Sequence, residues 1–235
     1  MYSAVFATGV RAAAEVVVAW SASRTRRTRE AEVVDVDEAE VRAGRMSVRL
    51  YGSLLVPDVP GRIQVLKAAG GRGLDAELAG LAAEVVGRLG TESIAILGPG
   101  TTTRAVGDRL GVTTTLLGID VVELAGDAAR VLVADASESQ ILAAIQGRSA
   151  VAVISPTGGQ GFLLGRGNQQ LSPAVLRAIG PENLLVVSTL SKLAALQGRP
   201  LYVDTGDAGL DAALAGHRRV IVGRGQETVI RVDAA

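Results

Sequence analysis

Cysteine is absent from all 235 residues, which excludes disulfides, thiolate chemistry and cysteine-ligated zinc. The single histidine, His217, rules out a histidine-rich metal site. Aromatic residues make up only 3% of the chain while hydrophobic residues make up 48%, so the core has to be built from Ala, Val, Leu and Ile. Charge of either sign is not in excess: 24 basic residues face 24 acidic ones. That balance offers no global field for nucleic acid or anionic lipid, and the expected partner is a small molecule. No uninterrupted apolar run reaches the roughly 18 residues of a membrane span, so no transmembrane helix and no membrane association are expected. The stretch Val10–Trp20 is moderately apolar but carries Arg11 and Glu15 and lacks a basic segment ahead of it. It does not read as a signal peptide, and a cytoplasmic location is expected.

What the chain does have is glycine, 29 residues of it, and a regular alternation of patterns. Residues 1–20 read as a helix entered through Ser3. Residues 32–37 and 46–51 alternate with a period near two, as half-buried strands do. Pro57, Pro60 and the run Gly70-Gly71-Arg72-Gly73 then punctuate the chain. A boundary is placed there, between a strand-rich portion, residues 1–69, and an α/β domain, residues 70–235. In the second part helices are expected at 74–89, 101–110, 137–146, from 173, at 191–197 and at 208–215. Strands are expected at 93–97, 130–134, 150–155, 184–188, 201–204 and 219–222, with residues 228–232 closing a terminal hairpin. Strands alternating with helices imply right-handed crossovers and a largely parallel sheet covered on both faces. There is no internal repeat and no low-complexity tract.

Two glycine-rich turns stand between a strand and a helix or loop. Gly98-Pro99-Gly100-Thr101-Thr102-Thr103-Arg104 brings three hydroxyls to a helix N-terminus, where unpaired N–H groups and the macrodipole favour a phosphate. It is not a Walker A loop, and Thr103 replaces the third glycine of a dinucleotide fingerprint. The second turn follows the apolar run Ala150–Ile154 and reads Pro156-Thr157-Gly158-Gly159-Gln160-Gly161-Phe162-Leu163-Leu164-Gly165-Arg166-Gly167-Asn168-Gln169-Gln170. Glycine at that density permits positive φ and close backbone approach to a ligand. Arg166 suits a phosphate bidentately, and Asn168, Gln169 and Gln170 suit an amide, adenine or ribose edge. Both turns are expected at the carboxyl ends of strands, facing one crevice.

Three aspartates, an acidic cluster and a few basic side chains complete the candidate set. Asp120 lies about twenty residues beyond Gly98, a spacing that suits a ribose-binding carboxylate, and a capping role suits it equally. Asp204 is expected to point from a strand end into the crevice, while Asp207 is either a ligand or the N-cap of the next helix. Asp35, Asp37, Glu38 and Glu40 form an acidic cluster that could hold magnesium but reads better as an exposed strand end. No metal site is assigned. Lys192, at a helix start, could face a phosphate but reads better as solvated, and His217 is expected at the surface. The basic run Arg24–Arg29 reads as a solvated loop, since no aromatic residue is interleaved with it.

The second turn, PTGGQGFLLGRGNQQLSP at 156–173, resembles the signature of the predicted polyphosphate- or ATP-dependent branch of the ATP-NAD kinase family, which includes acetoin-catabolism X-type proteins. GPGTTTR at 98–104, LLGIDVV at 116–122 and YVDTGD at 202–207 resemble the same branch, in order. The resemblance implies an NAD kinase/diacylglycerol kinase-like fold and transfer of a phosphoryl group from ATP or polyphosphate to the 2′-hydroxyl of NAD, with Mg2+. One departure stands out: the family's catalytic Gly-Gly-Asp-Gly-Thr element does not occur in this sequence. The resemblance therefore implies an incomplete, C-terminal part of a kinase, with the other half on a separate chain or lost from this one. Exposed apolar surface left by the missing half implies a homo-oligomer. A non-catalytic nucleotide-binding or regulatory module, or a kinase of another small hydroxyl compound, stands as the alternative.

Overall fold

The computed structural model describes residues 10–36, 39–40, 48–58, 73–157 and 161–235. Two compact units divide the chain, Met1–Ala68 and Ala69–Ala234. In the first, helix α1 (Val10–Ala22) precedes an antiparallel ribbon of β1 (Thr28–Val36) and β2 (Val48–Pro57). The ribbon's register shifts between Val33 and Val34. Both strands extend beyond the alternating runs that announced them, because pairing continues through Arg29↔Val56 and Thr28↔Pro57. The expected helix entry at Ser3 and two members of the acidic cluster, Asp37 and Glu38, lie outside the described residues. The basic run does meet an aromatic ring: the Arg26 guanidinium lies 5.7 Å from the centroid of Trp20.

The second unit is a nine-stranded sheet ordered β5-β4-β3-β6-β8-β10-β11-β9-β7. Its strands are β3 (Glu92–Leu97), β4 (Asp120–Ala125), β5 (Ala128–Val133), β6 (Ala150–Ile154), β7 (Phe162–Leu164), β8 (Leu184–Val187), β9 (Leu201–Val203), β10 (Gly216–Gly223) and β11 (Gln226–Ala234). β3, β6, β8 and β10 run parallel. The hairpin β10–β11 then reverses the direction, and β9 and β7 follow β11 in the reversed sense. The central parallel strands read as unbroken apolar runs because both of their faces are covered. On one face α2 (Gly73–Arg88) and α3 (Thr101–Arg109) bury Leu81, Val85 and Val106 against Ala95, Leu97, Val153 and Ile221. On the other, α4 (Glu138–Ile145), α5 (Pro173–Ile179) and α7 (Ala208–Leu214) bury Ile141, Leu176 and Leu210 among Ile94, Ile96, Ile154 and Val220. The fold is α/β, a mostly parallel sheet with helices on both faces.

Local chemistry sets the helix starts. Ser137 caps α4 in a reciprocal capping box with Gln140, and Ser172 accepts from the Val175 amide ahead of Pro173 at the start of α5. Two strands escape the sequence pattern. β4 pairs antiparallel with β3 and with β5, joined to β5 through Gly126 at φ 60°. The expected single strand near 130–134 is thus the second half of a hairpin. β7 lies inside the second glycine-rich turn and is too short to show a period.

Gly107 illustrates how tightly α3 is seated. A β-carbon there would lie 2.6 Å from Cγ2 and 2.9 Å from Oγ1 of Thr114, whose hydroxyl is buried without a hydrogen-bond partner among the described residues. Gly→Ala inside a helix ordinarily gains about 1 kcal/mol, whereas overpacking costs roughly 1–3 kcal/mol. We expect Gly107→Ala to lower the melting temperature, and Gly107→Ala/Thr114→Ala to recover most of the loss. Thermal unfolding of the three variants checks this; a stabilised single Gly107→Ala protein would contradict the packing argument.

Candidate functional site

The carboxyl ends of β3 and β6 lie side by side, in register through Leu97↔Val153, and the Gly98 amide continues the ladder to the Val153 carbonyl at 2.9 Å. The chain then turns through Gly100, at φ 112°, directly into α3. No side chain caps this helix. Thr103 donates from Oγ1 to the Gly100 carbonyl at 2.9 Å, while the Gly100 amide donates to Leu116. Thr102 and Thr103 are buried and Thr101 is exposed. Of the three hydroxyls expected to meet a phosphate, one therefore closes its own turn.

Sequence reasoning weighed Lys192 as a phosphate ligand and favoured a solvated lysine. It is not a solvated lysine: it sits half-buried on the short helix α6 (Leu190–Ala194), capped by Thr189. Its Nζ donates to Thr102 Oγ1 at 2.8 Å and to Ser155 Oγ at 2.9 Å. The ammonium thus joins the turn after β3 to the residue after β6. A faint signal was available, since a lysine in the first turn of a helix carries the wrong charge for the macrodipole.

The second glycine-rich turn is two turns separated by β7. Gly158, Gly159 and Gln160 lie outside the described residues. Thr157 donates from its amide to Phe162 at 2.8 Å and from its hydroxyl to the Arg166 carbonyl at 3.2 Å, which folds the second turn back against the first. Gly165, at φ 89°, brings the backbone against the chain itself: a β-carbon there would lie 1.7 Å from the Asp204 carbonyl oxygen. Asn168, expected to read a ligand edge, holds the turn instead. Its Oδ1 accepts from the Gly165 amide at 3.0 Å and its Nδ2 donates to Leu163 at 2.9 Å, and the residue is 3% exposed. Arg166 stacks 4.3 Å from the centroid of Phe162, and its Nε is buried without a partner among the described residues. Gly161 is buried, Gly167 and Gln169 are exposed, and Gln170 is half-buried.

The carboxylates divide by employment. Asp120 is 1% exposed and accepts from the Thr115 amide at 2.7 Å, the Thr115 hydroxyl at 2.9 Å and the Asp135 amide at 3.1 Å. It staples the loop ahead of β4, and a ribose would have to displace those donors. Asp207 caps α7, accepting from the Leu210 amide at 2.8 Å, and pairs with Arg177 at 2.7 Å. The Arg177 hydrogen bond, then the Leu210 amide, hold its carboxyl below the usual Asp range. Asp211, not anticipated, is the buried partner of this loop and takes the amide and hydroxyl of Thr205 at 2.9 and 2.7 Å. Asp204 is half-buried, and its carboxylate has no hydrogen bond or ion pair among the described residues. It follows a strand antiparallel to β3 and β6, so it leaves the sheet in the opposite sense. It adjoins Gly165 rather than Gly98–Thr103. His217 is exposed on β10. Among the described residues no group of three or more His, Cys, Asp or Glu could hold a metal ion, and no helix is long and apolar enough to cross a membrane.

Residues 92–232 match the family model described as the ATP-NAD kinase C-terminal domain. The match spans more than half of the chain and includes both glycine-rich turns. No curated protein and no solved structure matches the chain significantly.

Two outcomes follow from this geometry. Gly165→Ala places a β-carbon on a backbone oxygen at a φ that L-residues avoid, and should cost roughly 2–4 kcal/mol of stability in denaturant unfolding. Asp207 has a lowered folded-state pKa, so its contribution to stability is present above the unfolded value and is lost as pH falls through the folded one. A carboxyl NMR titration should show its midpoint below the ordinary Asp range, moving upward in Arg177→Ala; an unmoved midpoint would remove Arg177 as the cause.

Proposed function

From the premise that this chain belongs to the ATP-NAD kinase family, we propose that it is the nucleotide-gripping part of an NAD kinase-like phosphotransferase. The observation that carries the reading is the joining of Thr102 and Ser155 through Lys192 at the carboxyl ends of β3 and β6, where open α/β sheets bind ligands. In this reading the uncapped first turn of α3 and the hydroxyls of Thr101 and Thr102 receive phosphate oxygens. The guanidinium of Arg166, stacked on Phe162, offers its edge to a second phosphate or its open face to a base. The acceptor is the 2′-hydroxyl of NAD and the donor is ATP or polyphosphate, as the signature at 156–173 suggests.

Phosphoryl transfer asks for positioning, electrostatic stabilisation and a carboxylate to take the hydroxyl proton. The residues here supply the first two. The carboxylate of the Gly-Gly-Asp-Gly-Thr element is not in this sequence; of the two candidates, Asp120 and Asp204, this reading favours Asp204, whose carboxylate has no hydrogen bond or ion pair among the described residues. In this reading Mg2+ arrives with the donor nucleotide, whose phosphates hold it. The absence of the aspartate element also favours the second reading, a nucleotide-binding module that does no chemistry alone. Tyr51, Leu54 and Leu55 of β2 are exposed, which supports self-association in a cytoplasmic setting.

Calorimetry with NAD and an assay of NADP formation with ATP and with polyphosphate separate the readings. We expect the 235-residue chain to bind NAD but to turn over far below the roughly 1–10 per second of an ordinary enzyme. Turnover at that rate, abolished by Asp204→Asn, would make the chain a working kinase on its own. Failure to bind either NAD or ATP would overturn the nucleotide-binding proposal.

A further inference from the structure

We propose that Lys192, Thr102 and Ser155 form a phosphate-binding hand, in which the ammonium orders two hydroxyls so that both present their protons to the oxygens of a nucleotide pyrophosphate. An ammonium can only donate, so Thr102 Oγ1 at 2.8 Å and Ser155 Oγ at 2.9 Å are both acceptors toward Lys192. Each hydroxyl keeps one proton of its own. Neither has an acceptor for it among the described residues, although Thr102 is fully buried and Ser155 is 9% exposed. Buried O–H donors left without an acceptor are costly, and ones polarised by a cation are stronger donors still. The matching ligand is an oxyanion that accepts several hydrogen bonds at once.

The surroundings agree with that assignment. Thr102 lies in the first turn of α3, whose leading amides receive no side-chain cap, so backbone and hydroxyl donors converge on one end of the helix. Ser155 directly follows β6 and Lys192 lies on the helix after β8, so the segments after three neighbouring strands, β3, β6 and β8, each contribute one group. The stem of Lys192 reaches across this junction in place of the lysine of a Walker loop, which would have to follow the glycines directly. The role is that of a positioning and binding cation, and it deepens the nucleotide-binding reading, on which the identity of the ligand rests.

The test titrates inorganic pyrophosphate and NAD separately, by calorimetry, into the full chain and into Lys192→Met and Lys192→Arg, with thermal unfolding alongside. Lys192→Met keeps the stem and removes the charge. We expect it to weaken both ligands about tenfold or more, as loss of charge-assisted bonds does, with Lys192→Arg recovering part of the affinity. A folded Lys192→Met protein that binds both ligands within about twofold of the parent overturns the proposal; the lysine is then a strut between loops. If the methionine variant fails to fold, Thr102→Val and Ser155→Ala take its place: weakened pyrophosphate binding in both supports the hand, and unchanged binding in both rejects it. The two readings fail separately. Pyrophosphate bound through Lys192 with no affinity for NAD sustains the anion site and sinks the nucleotide assignment. NAD bound at full strength by Lys192→Met does the reverse.

Discussion

Parallel pairing of β3 with β6 is the constraint on which the rest of this structure depends. Leu97 and Val153 end their strands in register, and the backbone leaves both at the same level. From there every turn has to find hydrogen-bond partners for groups that the sheet no longer satisfies. Gly98 continues the ladder, Gly100 turns the chain into α3, and Ser155 is left beside the helix start. The helix after β8 then places an ammonium between the two. No one of these residues brings the groups together; the adjacency of the strand ends does.

Buried carboxylates serve the same need one layer out. Asp120 and Asp211 each accept from a threonine amide and hydroxyl, and each closes a loop that would otherwise bury unpaired N–H groups. The repeated chemistry explains why acidic residues near strand ends are ambiguous in this chain. A carboxylate that organises a loop and one that holds a ribose look alike in sequence, and only the partners distinguish them. Asp204, whose carboxylate has no such partners among the described residues, is different in kind from Asp120 and Asp207.

Glycine shows a similar division. Density of glycine in residues 158–167 suggested close approach to a ligand, and at Gly165 the approach is to the chain's own Asp204 carbonyl. Asn168 then locks that turn with both ends of its amide. The turn is built from within, which presents Arg166 on a fixed platform against Phe162. Rigid support of this sort is what a binding arginine needs, because it lowers the entropy lost on gripping a ligand.

The sequence by itself determined the elements that local forces control. Apolar runs marked the buried parallel strands, Ser137, Ser172 and Thr189 capped their helices, and covered faces on both sides implied an α/β sheet. The motifs GPGTTTR and PTGGQGFLLGRGNQQLSP carried the family, which the match over residues 92–232 bears out. What tertiary structure alone decided were contacts between distant parts of the chain. β4 and β7 exist because neighbouring strands accept them, not because their own patterns demand it. The hairpin β10–β11 reverses the last third of the sheet, which turns Asp204 away from the sense of β3 and β6. Lys192 meets Thr102 across 90 residues of sequence, a separation no periodicity or cap can report. Local patterns encode propensity; which loops share an ammonium is settled only when the strands have been ordered in space.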